Sequence, residues 1–208
     1  MRNMILGLAL VMILAGSAVA QTCTVRTYFG SPTERETIKA VIIRAIDGAR
    51  TSLDMALHSF TDDQLGDTVA RAVRRGVSVR VILAAGQDEV LGGEYSKLVA
   101  AGAEVVVVEV QALFTHRFAV VDAEMVITGS YDWSDYSNRS RYDDVLLISC
   151  PAGTSTAHEF TQEFEQLWGE LGGETGAVVT QLSLASGVQS VVIHSVDPAG
   201  ECIQLLDV

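Results

Sequence analysis

Leu113-Phe114-Thr115-His116-Arg117-Phe118-Ala119-Val120-Val121-Asp122 is followed by Val126-Ile127-Thr128-Gly129-Ser130-Tyr131-Asp132-Trp133-Ser134 and then by Arg141-Tyr142-Asp143-Asp144-Val145-Leu146-Leu147-Ile148. Each piece holds a short apolar run next to a polar cluster, which is how a buried strand meets a loop at the end of a sheet. Phe118 to Asp122 and Met125 to Thr128 read as two strands, or as one strand with a turn at Ala123-Glu124. Asp144 to Ser149 reads as a third.

Upstream the chain alternates strand and helix. Val25 to Phe29 is a short strand. Ser31-Pro32-Thr33-Glu34 carries a helix start, with Ser31 as cap and Pro32 in the first turn. Ile38, Val41, Ile42, Ala45, Ile46 and Ala49 then share one helical face. Ser52 to Phe60 is the next strand, and Thr61 and Gln64 open a helix closed by Gly76. Val77 to Ala84 is apolar enough to be covered on both faces. Tyr95 to Ala101 is a helix stopped at Gly102, and Glu104 to Val110 a strand. Downstream, Ser155 leads into a helix with Phe160, Phe164, Leu167, Trp168 and Leu171 on one side. The fold class is α/β: a sandwich built on a mixed sheet flanked by helices.

Residues 1–20 read as a cleaved signal peptide: Arg2, an apolar run from Met4 to Ala15, and Ala18-Val19-Ala20 before Gln21. The run is shorter than a membrane-spanning helix needs. The expected location is therefore secreted or periplasmic. Cys23, Cys150 and Cys202 would meet an oxidising compartment there, where three cysteines allow at most one internal pair. Their wide spacing is not that of a zinc site. Residues 21–171 form the expected main domain. Residues 172–208 are a linker, Gly172 to Gly176, and a short β-rich tail with a turn at Asp197-Pro198-Ala199-Gly200. The tail reads as an edge hairpin, a disordered end, or a truncated second domain, faintly resembling the opening of lamin-tail-like sandwiches.

Of 208 residues, 49% are hydrophobic and 19% charged, which excludes a disordered chain. The net charge of -12 has the wrong sign for clamping a nucleic-acid backbone along a groove, and favours a lipid or small phosphodiester over duplex DNA.

The order of the three pieces quoted first is similar to the signature of the phospholipase D / Nuc-endonuclease superfamily. That signature is His-x-Lys and then Asp, Gly-Ser-x-Asn-Trp, and Asn-x-Glu-Asn before an apolar strand. Ile46-Asp47-Gly48-Ala49 and Phe164-Glu165-Gln166-Leu167-Trp168 are also typical of it, and the resemblance runs over roughly residues 24–171. It implies a phospholipase D-like sandwich and a hydrolase acting on phospholipid or nucleic-acid phosphodiesters. A histidine would attack phosphorus to give a phosphohistidine, with no metal and no cofactor, and two copies would pair as a homodimer bringing two motifs together.

Aligned without a gap, the nucleophile position falls on Thr115, the middle residue is His116, and Arg117 stands for Lys. Asp122 and Ser130 match. Asp132 replaces the first Asn, Arg141 the later one, and Asp143 replaces the Glu that orients the nucleophile. His116, Arg117, Asp122 and Asp143 are the candidate catalytic residues, and Thr115, Ser130 and Asp132 the candidate substrate-binding ones. His116 reaches the site only if the chain shifts by one residue; otherwise it is a polar strand-edge residue. Asp132 either repels phosphate or pairs with Arg117 or Arg141. His58, at the end of the second strand, lines the pocket or sits in the core. The alternative to hydrolysis is an inactive domain kept as a binding or structural module.

Overall fold

The computed structural model describes residues 22–31, 33, 37–108, 113–151 and 155–171, with the backbone of 192–193 and 205–206. Residues 1–20, read above as a signal peptide, Pro32, Glu34, Glu109, Val110, residues 172–176, read as a linker, His194 and Cys202 lie outside the described residues.

The elements run β1 (Thr24–Gly30), α1 (Thr37–Asp47), β2 (Ser52–Leu57), α2 (Asp63–Arg74), β3 (Ser78–Leu83), α3 (Tyr95–Ala101), β4 (Glu104–Val107), β5 (Arg117–Val121), β6 (Met125–Gly129), α4 (Asp135–Ser140), β7 (Asp143–Ser149) and α5 (Ser155–Glu170). The short strands β8 (Val192–Ile193) and β9 (Leu205–Leu206) pair with each other in a separate sheet. The main sheet has the order β1-β7-β6-β5-β2-β3-β4. Strands β2, β3 and β4 are parallel, as expected of strands joined by helical crossovers, and the other pairings are antiparallel.

One face of the sheet packs under α1, α2 and α3. Ile38, Ile42, Ile46, Leu65, Val69 and Leu98 from these helices meet Leu53, Met55, Leu57, Val81, Ala119 and Ile127 from the strands. The other face lies under α5, whose Phe164 and Trp168 bury with the following Leu171 against Ala56, Ile82, Phe118 and Val120. Burying each of the two aromatic rings stabilises the layer by about 2–3 kcal/mol. An ionic anchor sits beside them. Arg80 reaches Asp54 on β2 at 2.7 Å and Glu165 on α5 at 2.6 Å, with its guanidinium over the Phe164 and Trp168 rings. Burial pushes the Asp54 carboxyl above its ordinary range despite Arg80, whereas the Arg80 guanidinium holds Glu165 below it.

Most expected elements appear within a residue or two of their predicted ends, and the differences have local causes. Strand β2 stops at Leu57 rather than Phe60, because the chain turns where His58 takes up contacts with the segment before β5. Helix α2 is capped by Asp62, whose carboxylate accepts from the Leu65 N–H, and not by Thr61 or Gln64. Helix α4 was not expected. Its residues are mostly short and polar, and it forms because the Ser134 hydroxyl accepts from the Ser137 N–H.

Cys23 and Cys150 form a disulfide just beyond the Thr24–Ser149 end of the β1–β7 ladder. The bond closes a loop across a sequence separation of 127 residues. Loops of that size restrict the unfolded chain strongly. Cys23→Ser is expected to lower stability by about 2–5 kcal/mol, read as a lower urea midpoint. An unchanged midpoint would mean that the ladder alone holds β1.

Candidate functional site

Strand β5 decides which side chains can meet. Phe118 and Val120 point under α5, and Ala119 and Val121 point into the opposite core. Alternation places Arg117 with Ala119, on the side of α1 and α2. The His116 ring lies with Phe118: their centroids are 5.4 Å apart, Phe114 is 5.2 Å away, and His116 Nε2 is 3.7 Å from Glu163 on α5. His116 therefore does not share a face with Arg117, and Thr115 is exposed, with its carbonyl accepting from Arg117. His58 fixes this arrangement. Its N–H donates to the His116 carbonyl at 2.8 Å, and its ring Nδ1 is 2.8 Å from the Phe114 carbonyl. It is a clamp on the segment that leads into β5, a role the sequence reading did not assign it.

The structure does bring Arg117, Ser130, Asp132, Arg141 and Asp143 together. Asp132 is buried, with its Oδ1 2.9 Å from Arg117 Nε and its Oδ2 3.7 Å from Arg141 Nη1. Of the two roles considered for this carboxylate, the ion pair is the one present. Arg117 also donates to the Thr115 carbonyl at 3.3 Å, and the Arg141 guanidinium lies over the Tyr136 ring at 5.2 Å. The Ser130 hydroxyl donates to Asp143 Oδ1 and accepts from the Asp144 N–H, both at 3.0 Å. Asp143 Oδ2 is buried without a hydrogen-bond partner among the described residues.

Local backbone explains how these groups converge. Gly129 has φ 150°, and a Cβ there would stand 2.3 Å from the Asp144 carbonyl oxygen, so only glycine fits. The close approach lets the Ser130 and Tyr131 N–H groups both donate to that carbonyl. Trp133 takes φ 49°, and its carbonyl accepts from the N–H groups of Thr61 and Asp62. Beneath it, Asn138 bridges the Asp62 carboxylate and the Tyr131 hydroxyl, and Lys39 lies 3.6 Å from Asp62. This buried polar network holds the segment that carries Asp132 and Arg141. The space left between Asp143, Arg141, Asn138 and Ser137 is only about 10 Å³. A wider depression of about 470 Å³ lies at the other end of the sheet, beside Arg44, Arg50 and Asp122.

Asp122 is outside the cleft. Its carboxylate accepts from the N–H groups of Arg50, Thr51 and Ser52 and from the Thr51 hydroxyl, at 2.7 to 3.1 Å. Burial alone would raise its pKa, but these donors prevail and hold the carboxyl below its ordinary range. Its position in the motif is thus a strap between the β5–β6 turn and the start of β2.

Residues 42–168 match the family model described as "Cardiolipin synthase, PLD-like domain". The chain belongs to the phospholipase D-like family. Among curated proteins it is similar to the mitochondrial cardiolipin hydrolase of Mus musculus, 33% identical over 129 residues, covering 62% of this chain and 57% of that protein. The Homo sapiens counterpart is 32% identical over 127 residues, covering 61% of this chain and 49% of that protein. The chain thus spans about half the length of these relatives. Among solved structures, its fold is similar to that of Nuc from Salmonella typhimurium, a phospholipase D family member. The TM-score is 0.62 at 19% identity, covering 71% of this chain and 95% of that one. NucT from Helicobacter pylori gives a TM-score of 0.64 at 18% identity, covering 74% and 99%. The phospholipase D-like sandwich read from the motif is the fold observed.

The Asp122 strap yields a stability prediction. Its folded-state pKa lies below the unfolded value of about 3.9, so its contribution is present above that pH and is lost as pH falls through the folded value. Asp122→Asn is expected to lower the melting temperature at pH 6 and to flatten its fall between pH 5 and pH 2. A melting temperature at pH 6 equal to that of the parent would remove the strap from the account.

Proposed function

We propose that this chain is an exported, non-hydrolytic member of the phospholipase D-like family, a domain that keeps the fold and the frame of the cleft as a binding or structural module. One observation carries the reading: among the described residues, no imidazole stands on the Arg117 side of the segment leading into β5. Thr115 occupies the nucleophile position, His116 turns toward Glu163, and His58 is tied to the Phe114 carbonyl. Loss of a covalent nucleophile costs turnover on the order of a million-fold. A threonine hydroxyl would need a base to activate it, and Asp132 is held by arginine while Asp143 takes the Ser130 hydroxyl on Oδ1.

Export is supported by the apolar start of the chain and fits the Cys23–Cys150 bond, which persists in oxidising compartments. Pairing of two copies across the cleft is supported by the exposure of Leu113, Tyr136 and Tyr142, each within a few residues of Thr115, Asp132 or Asp143. Such apolar side chains are what an interface would cover.

The second reading is hydrolysis of a phospholipid or nucleic-acid phosphodiester through a phosphohistidine, without metal. It is favoured by the retained charge at Arg117, by Ser130, and by relatives named as cardiolipin hydrolases. Under it, His116 would have to leave its place beside Phe118.

The two readings part in one assay. The mature protein, incubated with bis(p-nitrophenyl) phosphate, is expected to release no nitrophenol above the rate of its Thr115→Ala and His116→Ala variants. Turnover in the parent that either substitution abolishes would reinstate the enzyme. Sedimentation of the same sample is expected to give twice the mass of one chain, and a monomer at micromolar concentration would remove the pairing.

A further inference from the structure

The two guanidiniums that could grip an oxyanion in the cleft already face a carboxylate of the chain itself. Arg117 Nε and Arg141 Nη1 each face one oxygen of the same carboxylate, at 2.9 and 3.7 Å, as they would face two oxygens of a phosphate. Arg117 Nη1 donates to the Thr115 carbonyl, and the Ser130 hydroxyl to Asp143. The carboxylate between the arginines is not a passing surface partner. Asp132 is 8% exposed, its N–H donates to the Ser137 hydroxyl at 3.3 Å, and the next residue, Trp133, is fastened through its carbonyl to Thr61 and Asp62. A carboxylate tethered in this way competes with free anions at an effective concentration of about millimolar or above. The neighbouring cavity of about 10 Å³ holds a water molecule at most and no phosphate.

We propose that Asp132 fills from within the seat that Arg117 and Arg141 would offer to a phosphate or phosphodiester, so that the cleft is a latent oxyanion site closed by its own carboxylate. The inference rests on the binding-module reading above and names what that module would take once opened. Asp132→Asn keeps the size of the side chain and removes its charge. Both guanidiniums then lose their internal counter-ion, and the anion that enters no longer meets a buried negative charge. Arg117 is the donor that matters most, because its contact is the shorter and its side chain the more buried of the two, 29% exposed against 42%.

Calorimetric titration tests this, with the fluorescence of Trp133, buried next to the seat, as a second readout. The probes are inorganic phosphate and dimethyl phosphate, which separate a free anion from a diester. The parent is expected to bind neither at 1 mM, Asp132→Asn to bind both at least tenfold more tightly, and Asp132→Asn with Arg117→Gln to lose the gain. Asp132→Ser stands in if the Asn variant does not fold, as judged by circular dichroism. Equal affinity in parent and variant overturns the proposal. So does a gain that survives Arg117→Gln, which would place the anion elsewhere, as beside Arg44 and Arg50. Hydrolysis of bis(p-nitrophenyl) phosphate by Asp132→Asn would sink the non-hydrolytic reading while leaving the internally filled seat standing.

Discussion

Strand β5 is hydrogen-bonded along both edges, to β2 through Leu57–Arg117 and to β6 through Phe118–Thr128, and its pleat sets the chemistry of the domain. Sliding it by one residue would take Phe118 and Val120 out from under α5 and drive Arg117 into a dry layer. Register is specified this strongly wherever both faces of a strand are buried. The order Thr115-His116-Arg117 is therefore a statement about two sides of a sheet. The imidazole falls on the side that faces α5, between Phe114 and Phe118.

The motif positions that match the family, Asp122, Gly129 and Ser130, hold backbone. The first collects N–H groups at the start of β2, the second permits close contact with the Asp144 carbonyl, and the third takes the Asp144 N–H. Losing any of them would leave polar groups unpaired or atoms overlapping. Of the differing positions, Arg117, Asp132, Arg141 and Asp143 meet at the cleft beside the retained Ser130. The fold and the chemistry of the cleft thus depend largely on different atoms of one short stretch.

Apolar periodicity made the strands and the α5 face legible in the sequence, since Phe160, Phe164, Leu167 and Trp168 could only bury together. The frame of the cleft was legible too, through Gly129-Ser130 and the run Phe118 to Asp122. Three things were not. Helix α4 rests on one serine cap and a tertiary network through Asn138, and no apolar stripe announces it. The Cys23–Cys150 pairing depends on β1 lying beside β7, a contact between the two ends of the domain. The side on which the His116 ring lies was posed by alternation but needed the register of β5. The Asp132 pairing was foreseen as one of two roles, because charge alone cannot say whether a carboxylate meets a cation or an empty cleft.

The disulfide lies at the outer corner of the sheet, where β1 begins and β7 ends. Antiparallel edge strands yield to a pull at one end by unzipping, one hydrogen bond after another, which takes little force. Here a pull on residue 22 reaches the sulfur bridge before the first rung of the ladder, and tension passes directly into β7 in the body of the sheet. A domain tugged by its amino-terminal end would thus resist peeling through a covalent link, whatever its cleft does.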